Sequence, residues 1–310
     1  MLTWAMRFDL VRTSAAAEHF RQAGFGQFAA TVYPRAVYLE LVAQWQLFNW
    51  IVDDRLDEGY EGLTPEGRTE LARRLLAQLR VDLDAPEPWG PLAAAIRDLW
   101  QRTAPLMSPR WRSRFIANFR DWLTFSLRQH HNSHDAALPV PELVTFLRRR
   151  RMNSGCLMSF DLIEPANGVE VAPEIAESEA YREIRAAAND VVSWTNDLYS
   201  IRKEIARGDH EHLAAILLLR DPASGWTQAL AQAATMVDLV TGDFLAACED
   251  LRSMKPLIDS EAAWSGVEAS LEDLSLWIAG SLSWHRWSPR YRDVEEATTP
   301  IPSYIEAHLK

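Results

Sequence analysis

The chain has 310 residues, with 32 basic and 43 acidic side chains, a net charge of −11 and 48% apolar residues. This composition excludes a disordered chain, because enough apolar side chains are present to fill a large core. The acidic balance argues against a nucleic-acid-binding protein, since such surfaces need clustered Lys and Arg. The longest aliphatic run, residues 213–219, is far shorter than the roughly 20 residues that span a bilayer, so we expect no membrane insertion.

Apolar residues recur at intervals of three and four along nearly the whole chain, which predicts helices. Two such sets are Tyr38, Leu41, Val42, Trp45 and Phe48, and Leu71, Leu75, Leu76 and Leu79. Short segments with Gly or Pro separate the predicted helices, at 59–65, 84–91, 108–109, 131–141, 164–173, 221–225 and 288–289. Because connections this short make consecutive helices pack side by side, we predict an all-α fold, a single-domain antiparallel helix bundle, over residues 1–294. Residues 295–310 are predicted to form a flexible C-terminal tail.

A first acidic cluster closes the predicted helix that ends near residue 58. Asp53 and Asp57 are one turn apart, about 40° from each other on one helix face, with Asp54 on the flank. Like charges at the C-terminal end of a helix repel each other and oppose the helix dipole. A divalent cation would relieve both the repulsion and the unfavourable interaction with the dipole, and carboxylate oxygens suit Mg²⁺. A solvated acidic helix end is the alternative.

A second polar cluster follows Trp194. Asn196, Ser200 and Glu204 are spaced by four residues, which keeps them within about 80° of one helix face. An amide oxygen, a hydroxyl and a carboxylate so arranged can chelate one Mg²⁺ and leave positions for a phosphate ligand. Lys203, next to Glu204, could add a positive charge to that phosphate. The alternative is an ordinary amphipathic helix with its polar face in water.

Together, the two clusters resemble the metal-binding motifs of the bacterial class I terpene synthases (terpene cyclases). Residues 53–57 look like the aspartate-rich DDxxD motif of that family, and residues 196–204 match its (N/D)DxxSxxxE triad at every defined position. The triad is the more specific match, because it fixes several residue identities. The resemblance runs from about Trp4 through Arg292 and implies the class I terpenoid synthase fold, with a central active-site cavity.

The resemblance also assigns residues that contact a diphosphate. The Arg that senses the diphosphate in this family lies 46 residues before the Asn of the triad, which gives Arg150, with Arg151 as the off-by-one alternative. The family ends with an Arg-Tyr pair, and Arg290 and Tyr291 resemble it, with Trp284 upstream.

A break in the helical pattern follows the predicted sensor, at residues 153–155, where Gly155 favours a kink. In the family, such a break directs a backbone carbonyl at the substrate. By position, Asn153 would be the linker and Ser154 the residue that carries this carbonyl.

The activity that the resemblance implies is the Mg²⁺-dependent ionisation of a linear isoprenyl diphosphate. Farnesyl diphosphate (C15) is the first expectation and geranylgeranyl diphosphate (C20) the next, with cyclisation of the cation to a terpene hydrocarbon or alcohol. Three Mg²⁺ ions are expected, with Mn²⁺ as an alternative. Their implied ligands are Asp53, Asp57, Asn196, Ser200 and Glu204. The implied catalytic residues are Asp53, Arg150, Asn196, Ser200 and Glu204. The implied diphosphate contacts are Arg150, Lys203, Arg290 and Tyr291.

Helix geometry adds two residues to the predicted cavity. Asn49 and Trp50 lie one turn before Asp53 and should face the space next to the metals. Aromatic faces can stabilise a cation, so Trp50 and Trp284 are the leading candidates for contact with a carbocation, with core packing as the alternative. Asn49 takes a place where an aromatic residue is more usual in the family. It could position a water, steer a cation, or bond a neighbouring helix.

Two other functions remain open at this level. A chain-elongating isoprenyl diphosphate synthase would share the fold but would carry aspartate-rich motifs on both helices. A helical binding protein that has lost its catalytic ability is the second.

Cys156 and Cys248 fit neither a disulfide framework nor a metal-ligand spacing, so we expect buried thiols and a cytoplasmic protein. We expect the protein to be a monomer or a homodimer.

Overall fold

A computed structural model of the chain describes residues 1–58, 64–132, 141–206, 211–255, 261–288 and 291. Over these residues the chain forms α-helices and short 3₁₀ segments, among them Ala104–Leu106, and no strand, which confirms the predicted all-α class. The predicted tail at 295–310 lies outside the described residues. The helices are α1 (Leu2–Arg7), α2 (Ser14–Ala23), α3 (Phe25–Val32), α4 (Leu39–Glu58), α5 (Pro65–Gln78), α6 (Pro91–Thr103), α7 (Pro109–Asn132), α8 (Leu143–Asn153), α9 (Cys156–Asp161), α10 (Ile163–Asn167), α11 (Pro173–Ala176), α12 (Glu179–Ala206), α13 (Leu213–Arg220), α14 (Gly225–Ser253) and α15 (Glu261–Trp287).

Proline and glycine set several of these helix boundaries. Helices α6, α7 and α11 begin at Pro91, Pro109 and Pro173. Proline suits the first helical position because it has no N–H to leave unpaired there. Helices α2 and α10 are followed by Gly24 and Gly168 in the left-handed conformation, with φ of 70° and 67°, a common way for a helix to end.

Aromatic side chains join α4, α6 and α7 around Phe115. Its ring lies 5.1 Å from Trp45, 5.5 Å from Trp100 and 5.2 Å from Trp111 between ring centroids. The indole nitrogens of this cluster are paired, since Trp45 donates to Thr103 Oγ1 at 2.8 Å and Trp111 to a backbone carbonyl at 3.1 Å. Such rings bury large apolar areas. This cluster therefore holds in place the helix that carries Asp53.

A buried carboxylate ties α7, α9 and α12 together. Asp161 is fully buried and accepts hydrogen bonds from Arg114 Nε at 2.9 Å, Arg185 Nη2 at 2.7 Å and Asn118 Nδ2 at 2.6 Å. A buried charge is tolerated only when it is paired and hydrogen-bonded in this way. The pairing fixes α9 against the two long helices beside it.

The described part of the chain contains no helix both long enough and apolar enough to pass through a bilayer.

The contact between α3 and α15 is unusually close. A Cβ atom on Gly280 would lie 2.2 Å from the carbonyl oxygen of Thr31 and 2.8 Å from its carbonyl carbon. Only glycine allows the two backbones to approach this far. Helix α15 carries Trp277, Trp284 and His285, so this contact sets where those side chains lie.

We expect Gly280→Ala to lower the thermal unfolding temperature, because the added methyl group must push apart two backbones at a cost of about 1–3 kcal/mol or more. Circular dichroism during a thermal scan measures this. Gly242→Ala in α14 is the matched control, since a Cβ there meets no atom within 4 Å, and it should be neutral or stabilising by up to about 1 kcal/mol. Equal unfolding temperatures for the two variants would contradict the close approach.

Candidate active site

A cavity lies among helices α3, α4, α7, α8, α9, α12 and α15 and also reaches residues just before α13. Its empty volume is about 1280 Å³, open solvent included. Nine of the predicted site residues line it: Asn49, Trp50, Asp53, Arg150, Ser154, Asn196, Ser200, Trp284 and Tyr291. The side chains of Asp57, Lys203 and Glu204, and the whole of Arg290, lie outside what the structure describes.

One side of the cavity, the polar wall, is formed by Asp53, Arg150, Asn196, Ser200 and Tyr291. Arg150 Nη2 donates to Asn196 Oδ1 at 3.2 Å, and Asn196 Nδ2 donates to the Tyr291 hydroxyl at 3.1 Å. The sequence-predicted sensor, the first residue of the triad and the terminal Tyr therefore meet at one place, although they come from distant parts of the chain.

Arg150 and Arg151, the two candidates for the diphosphate sensor, lie in different environments. Arg150 lines the cavity, with a side chain that is 13% exposed. Arg151 instead forms a bidentate ion pair with Asp190, from Nε to Oδ1 at 2.7 Å and from Nη2 to Oδ2 at 2.5 Å. Its side chain is 43% exposed. Of the two, Arg150 is the residue in reach of a ligand in the cavity.

Asp197 anchors Arg150, a role that sequence reasoning missed. It accepts from Arg150 Nε at 2.8 Å through Oδ1 and from the backbone N–H of Leu213 at 3.0 Å through Oδ2. Asp197 is only 1% exposed. Successive residues of a helix are about 100° apart, so an Asp directly after Asn196 must point away from the triad face, and this signal was present in the sequence.

The charge of Arg150 is stabilised where it lies. Burial disfavours the charged guanidinium, but the attraction and hydrogen bond of Asp197 outweigh it, with a smaller contribution from the charge of Asp53, and the pKa of Arg150 is raised above its ordinary value. Arg150 is therefore a fixed cation in the polar wall.

The predicted helix break after Arg150 is confirmed. Helix α8 ends at Asn153 and α9 begins at Cys156, with Gly155 between them at a φ of 71°. Asn153 Oδ1 accepts from Arg150 Nη1 at 3.2 Å, and the Ser154 hydroxyl donates to Asn189 Oδ1 at 2.9 Å. The break thus places Asn153 in contact with the sensor, whereas Ser154 bonds to a different residue of α12, Asn189.

A second part of the lining, the aromatic wall, contains Phe28, Trp50, Trp277 and Trp284. Phe28 lies 4.8 Å from Trp284 and 5.6 Å from Trp277, and Trp50 lies 5.9 Å from Trp284, between ring centroids. Tyr291 meets Trp284 edge to face at 5.5 Å, which joins the two walls. Sequence reasoning found Trp50 and Trp284 but missed Phe28 and Trp277, for which no motif gave a signal.

Asn49 lines the cavity without a hydrogen bond to the protein. It is 8% exposed, and among the residues that the structure describes, neither of its amide atoms has a partner. This arrangement does not support the alternative that it bonds a neighbouring helix. An unpaired buried amide atom costs about 1–3 kcal/mol, so this residue is available to a water or a ligand.

Cys156, also in the cavity wall, is uncharged at neutral pH. Burial raises the pKa of its thiol to about 11. Both cysteines are free and buried, as predicted.

The oxygen donors of the polar wall fit a hard divalent cation. Asp53 on α4 and Asn196 and Ser200 on α12 line the same cavity, and they offer a carboxylate, an amide oxygen and a hydroxyl. Among the described side chains, His, Cys, Asp and Glu form no group of three that could hold a metal by themselves. The fit therefore depends on the amide and hydroxyl oxygens of the triad.

Known proteins resemble this chain over most of its length. The family described as terpene synthase family 2, C-terminal metal binding, matches residues 44–240. The chain is 29% identical to 7-epi-alpha-eudesmol synthase of Streptomyces viridochromogenes, over 95% of this chain and 87% of that protein. It is 27% identical to pentalenene synthase of Streptomyces avermitilis, over 98% and 90%. The crystal structure of an a-eudesmol synthase, at 23% identity, shares the fold with a TM-score of 0.81 over 92% of each chain.

The chain belongs to the terpene synthase family. The class predicted from the two motifs is confirmed: the protein is an enzyme of the class I terpene synthase fold with a metal-binding C-terminal region. The alternative of a chain-elongating synthase is not favoured by these matches.

We expect Asp197→Asn to destabilise the fold by about 3–5 kcal/mol, because it leaves the buried charge of Arg150 without its partner. Urea unfolding measures this. Glu18→Gln is the control, since its ion pair with Arg21 is exposed on both sides and should be worth less than about 1 kcal/mol. A similar small effect of both substitutions would show that Asp197 does not anchor Arg150.

Proposed function

We propose that this terpene synthase ionises farnesyl diphosphate, with geranylgeranyl diphosphate as the second candidate, and cyclises the resulting carbocation to a terpene hydrocarbon or alcohol. One observation carries the proposal: the same cavity is lined by a fixed cation, Arg150, with oxygen donors beside it, and by a group of aromatic side chains. These two walls suit the two halves of an isoprenyl diphosphate. The relative from Streptomyces viridochromogenes is described as cyclising (2E,6E)-farnesyl diphosphate, which supports a C15 substrate.

The proposed metal ligands are Asp53 and Asp57 on α4 and Asn196, Ser200 and Glu204 on α12. Three Mg²⁺ ions, or Mn²⁺ as an alternative, would supply electrophilic stabilisation of the diphosphate leaving group when bound. Residues of both α4 and α12 would hold them. Support comes from the shared lining of the cavity by Asp53, Asn196 and Ser200.

The proposed diphosphate contacts are Arg150, Lys203, Arg290 and Tyr291, with the backbone of Ser154 beside them. Arg150 suits this task because its guanidinium keeps a permanent positive charge, which Asp197 secures. Donors fixed in advance at the site where negative charge develops lower the barrier to ionisation. The predicted catalytic set is Asp53, Arg150, Asn196, Ser200 and Glu204.

The aromatic wall would then hold the hydrocarbon chain and face the carbocation. Trp50 and Trp284, with Phe28 and Trp277, present π faces and edges that stabilise a cation and exclude water. The neutral thiol of Cys156 adds no negative charge to this lining. Asn49 adds a polar group to this lining, and its unpaired amide could hold a water near the cation.

We further propose that residues 1–294 act as one catalytic domain in the cytoplasm, as a monomer or a homodimer. The free, buried state of Cys156 and Cys248 is consistent with a reducing compartment.

The substrate is tested by incubating the purified protein with Mg²⁺ and the C10, C15 or C20 diphosphate, and identifying products by gas chromatography and mass spectrometry. We expect the highest kcat/KM and cyclic products with farnesyl diphosphate. A parallel incubation with added isopentenyl diphosphate distinguishes chain elongation, since a longer linear diphosphate would contradict the proposal. Absence of any product would favour a helical binding protein that has lost its catalytic ability.

Metal and diphosphate should stabilise the protein together. We expect Mg²⁺ and inorganic diphosphate to raise the unfolding temperature by more than the sum of their separate shifts, because each completes the binding site of the other on the folded state. Asn196→Ala should abolish this synergy and diphosphate release without a large change in the unliganded unfolding temperature. Gln228→Ala, on the exposed face of α14, is the control and should keep the synergy. If Asn196→Ala kept it too, the assigned metal site would be wrong.

A further inference from the structure

His285 on α15 lies beside two residues of the polar wall, Asn196 and Tyr291, and sequence reasoning assigned it no role. It lines the cavity and is 4% exposed. Its ring stacks on Tyr291, with centroids 4.8 Å apart and planes at 27°, and meets Trp284 edge to face at 5.3 Å. The aromatic contacts hold the ring plane in one orientation, so its two nitrogens face fixed neighbours.

The neighbours of Asn196 determine which way its amide points. Arg150 can only donate hydrogen bonds, so the Asn196 atom 3.2 Å from Arg150 Nη2 must be the oxygen Oδ1. The nitrogen Nδ2 then faces the other side, 3.0 Å from His285 Nε2 and 3.1 Å from the Tyr291 hydroxyl. Both hydrogens of Nδ2 therefore have an acceptor.

This arrangement also determines the tautomer of His285. The amide nitrogen of Asn196 can only donate, so His285 Nε2 must accept from it. The ring proton is then on Nδ1, which lies 2.7 Å from the carbonyl oxygen of Ser281, one turn earlier on α15. A continuous chain of hydrogen bonds thus runs from the backbone of α15 through His285 and Asn196 to Arg150.

We infer that His285 is a positioning residue that holds the Asn196 amide with Oδ1 toward Arg150 and the polar wall. The inference rests on the proposed function, in which Asn196 is a metal ligand. Only the oxygen of an amide can bind a hard cation, whereas a flipped amide would present N–H groups to it. Side chains that orient a metal ligand from behind can change metal affinity by about 10- to 100-fold.

Two substitutions of His285 distinguish the loss of its hydrogen-bond acceptor from a change in side-chain volume. His285→Phe keeps a ring against Tyr291 and Trp284 but has no hydrogen-bond acceptor. His285→Gln offers a side-chain oxygen near the place of Nε2. For each variant, the Mg²⁺ concentration that gives half of the thermal shift is measured with inorganic diphosphate present, and compared with the half-saturating Mg²⁺ concentration and kcat in the cyclisation assay.

We expect His285→Phe to need about tenfold or more Mg²⁺ than the parent in both assays, and His285→Gln to need an amount close to that of the parent. A lower unliganded unfolding temperature in both variants with unchanged Mg²⁺ requirements would show a purely structural role and overturn the inference. If the parent itself shows no shift with Mg²⁺ and diphosphate, the proposed function fails instead.

A measurement on the parent protein tests the inference without any dependence on how the variants fold. Nitrogen-15 NMR of histidine-labelled protein, with the His285 signal assigned by its loss in His285→Gln, reports which ring nitrogen carries the proton. The hydrogen-bond chain requires a proton on Nδ1 of the neutral ring. A neutral ring protonated on Nε2 would overturn the inference.

Discussion

The polar wall depends on one buried carboxylate, that of Asp197, which holds three helices together. It belongs to α12, pairs with Arg150 of α8 and accepts the N–H of Leu213 at the start of α13. A buried charge is costly unless both of its oxygens are satisfied, so the carboxylate and its two partners can only be buried together. The position of Arg150 beside Asn196 follows from this pairing. The site is therefore stabilised by the same interaction that stabilises the bundle around it.

Helix periodicity made part of this site predictable from the sequence. Asn49, Trp50 and Asp53 share one face of α4, and Asn196 and Ser200 share one face of α12, because both sets lie on continuous helices of known repeat. All five line the cavity. Within a helix, spacing alone specifies which side chains point together, and for this reason the fold class and the shared position of these five residues could be predicted.

The remaining features depend on contacts between helices that are distant in the chain. Phe28 joins the aromatic wall because α3 packs on α15, and His285 reaches Asn196 across the gap between α15 and α12. Periodicity indicates the buried face of a helix but not the neighbour that covers it. The tryptophans illustrate the same limit. Trp45 packs in the core and Trp284 lines the cavity, yet both are completely buried, so burial alone does not distinguish the two positions.

The close contact at Gly280 has a consequence for how cavities of this kind can change. Phe28 comes from α3, and Trp277 and Trp284 come from α15, and the backbones of these two helices already touch. The spacing between them is fixed by main-chain atoms, so it cannot shrink to fit a smaller hydrocarbon. A cavity of different size or shape would therefore have to arise from substitutions of individual lining side chains. The positions of the two helix backbones would stay the same.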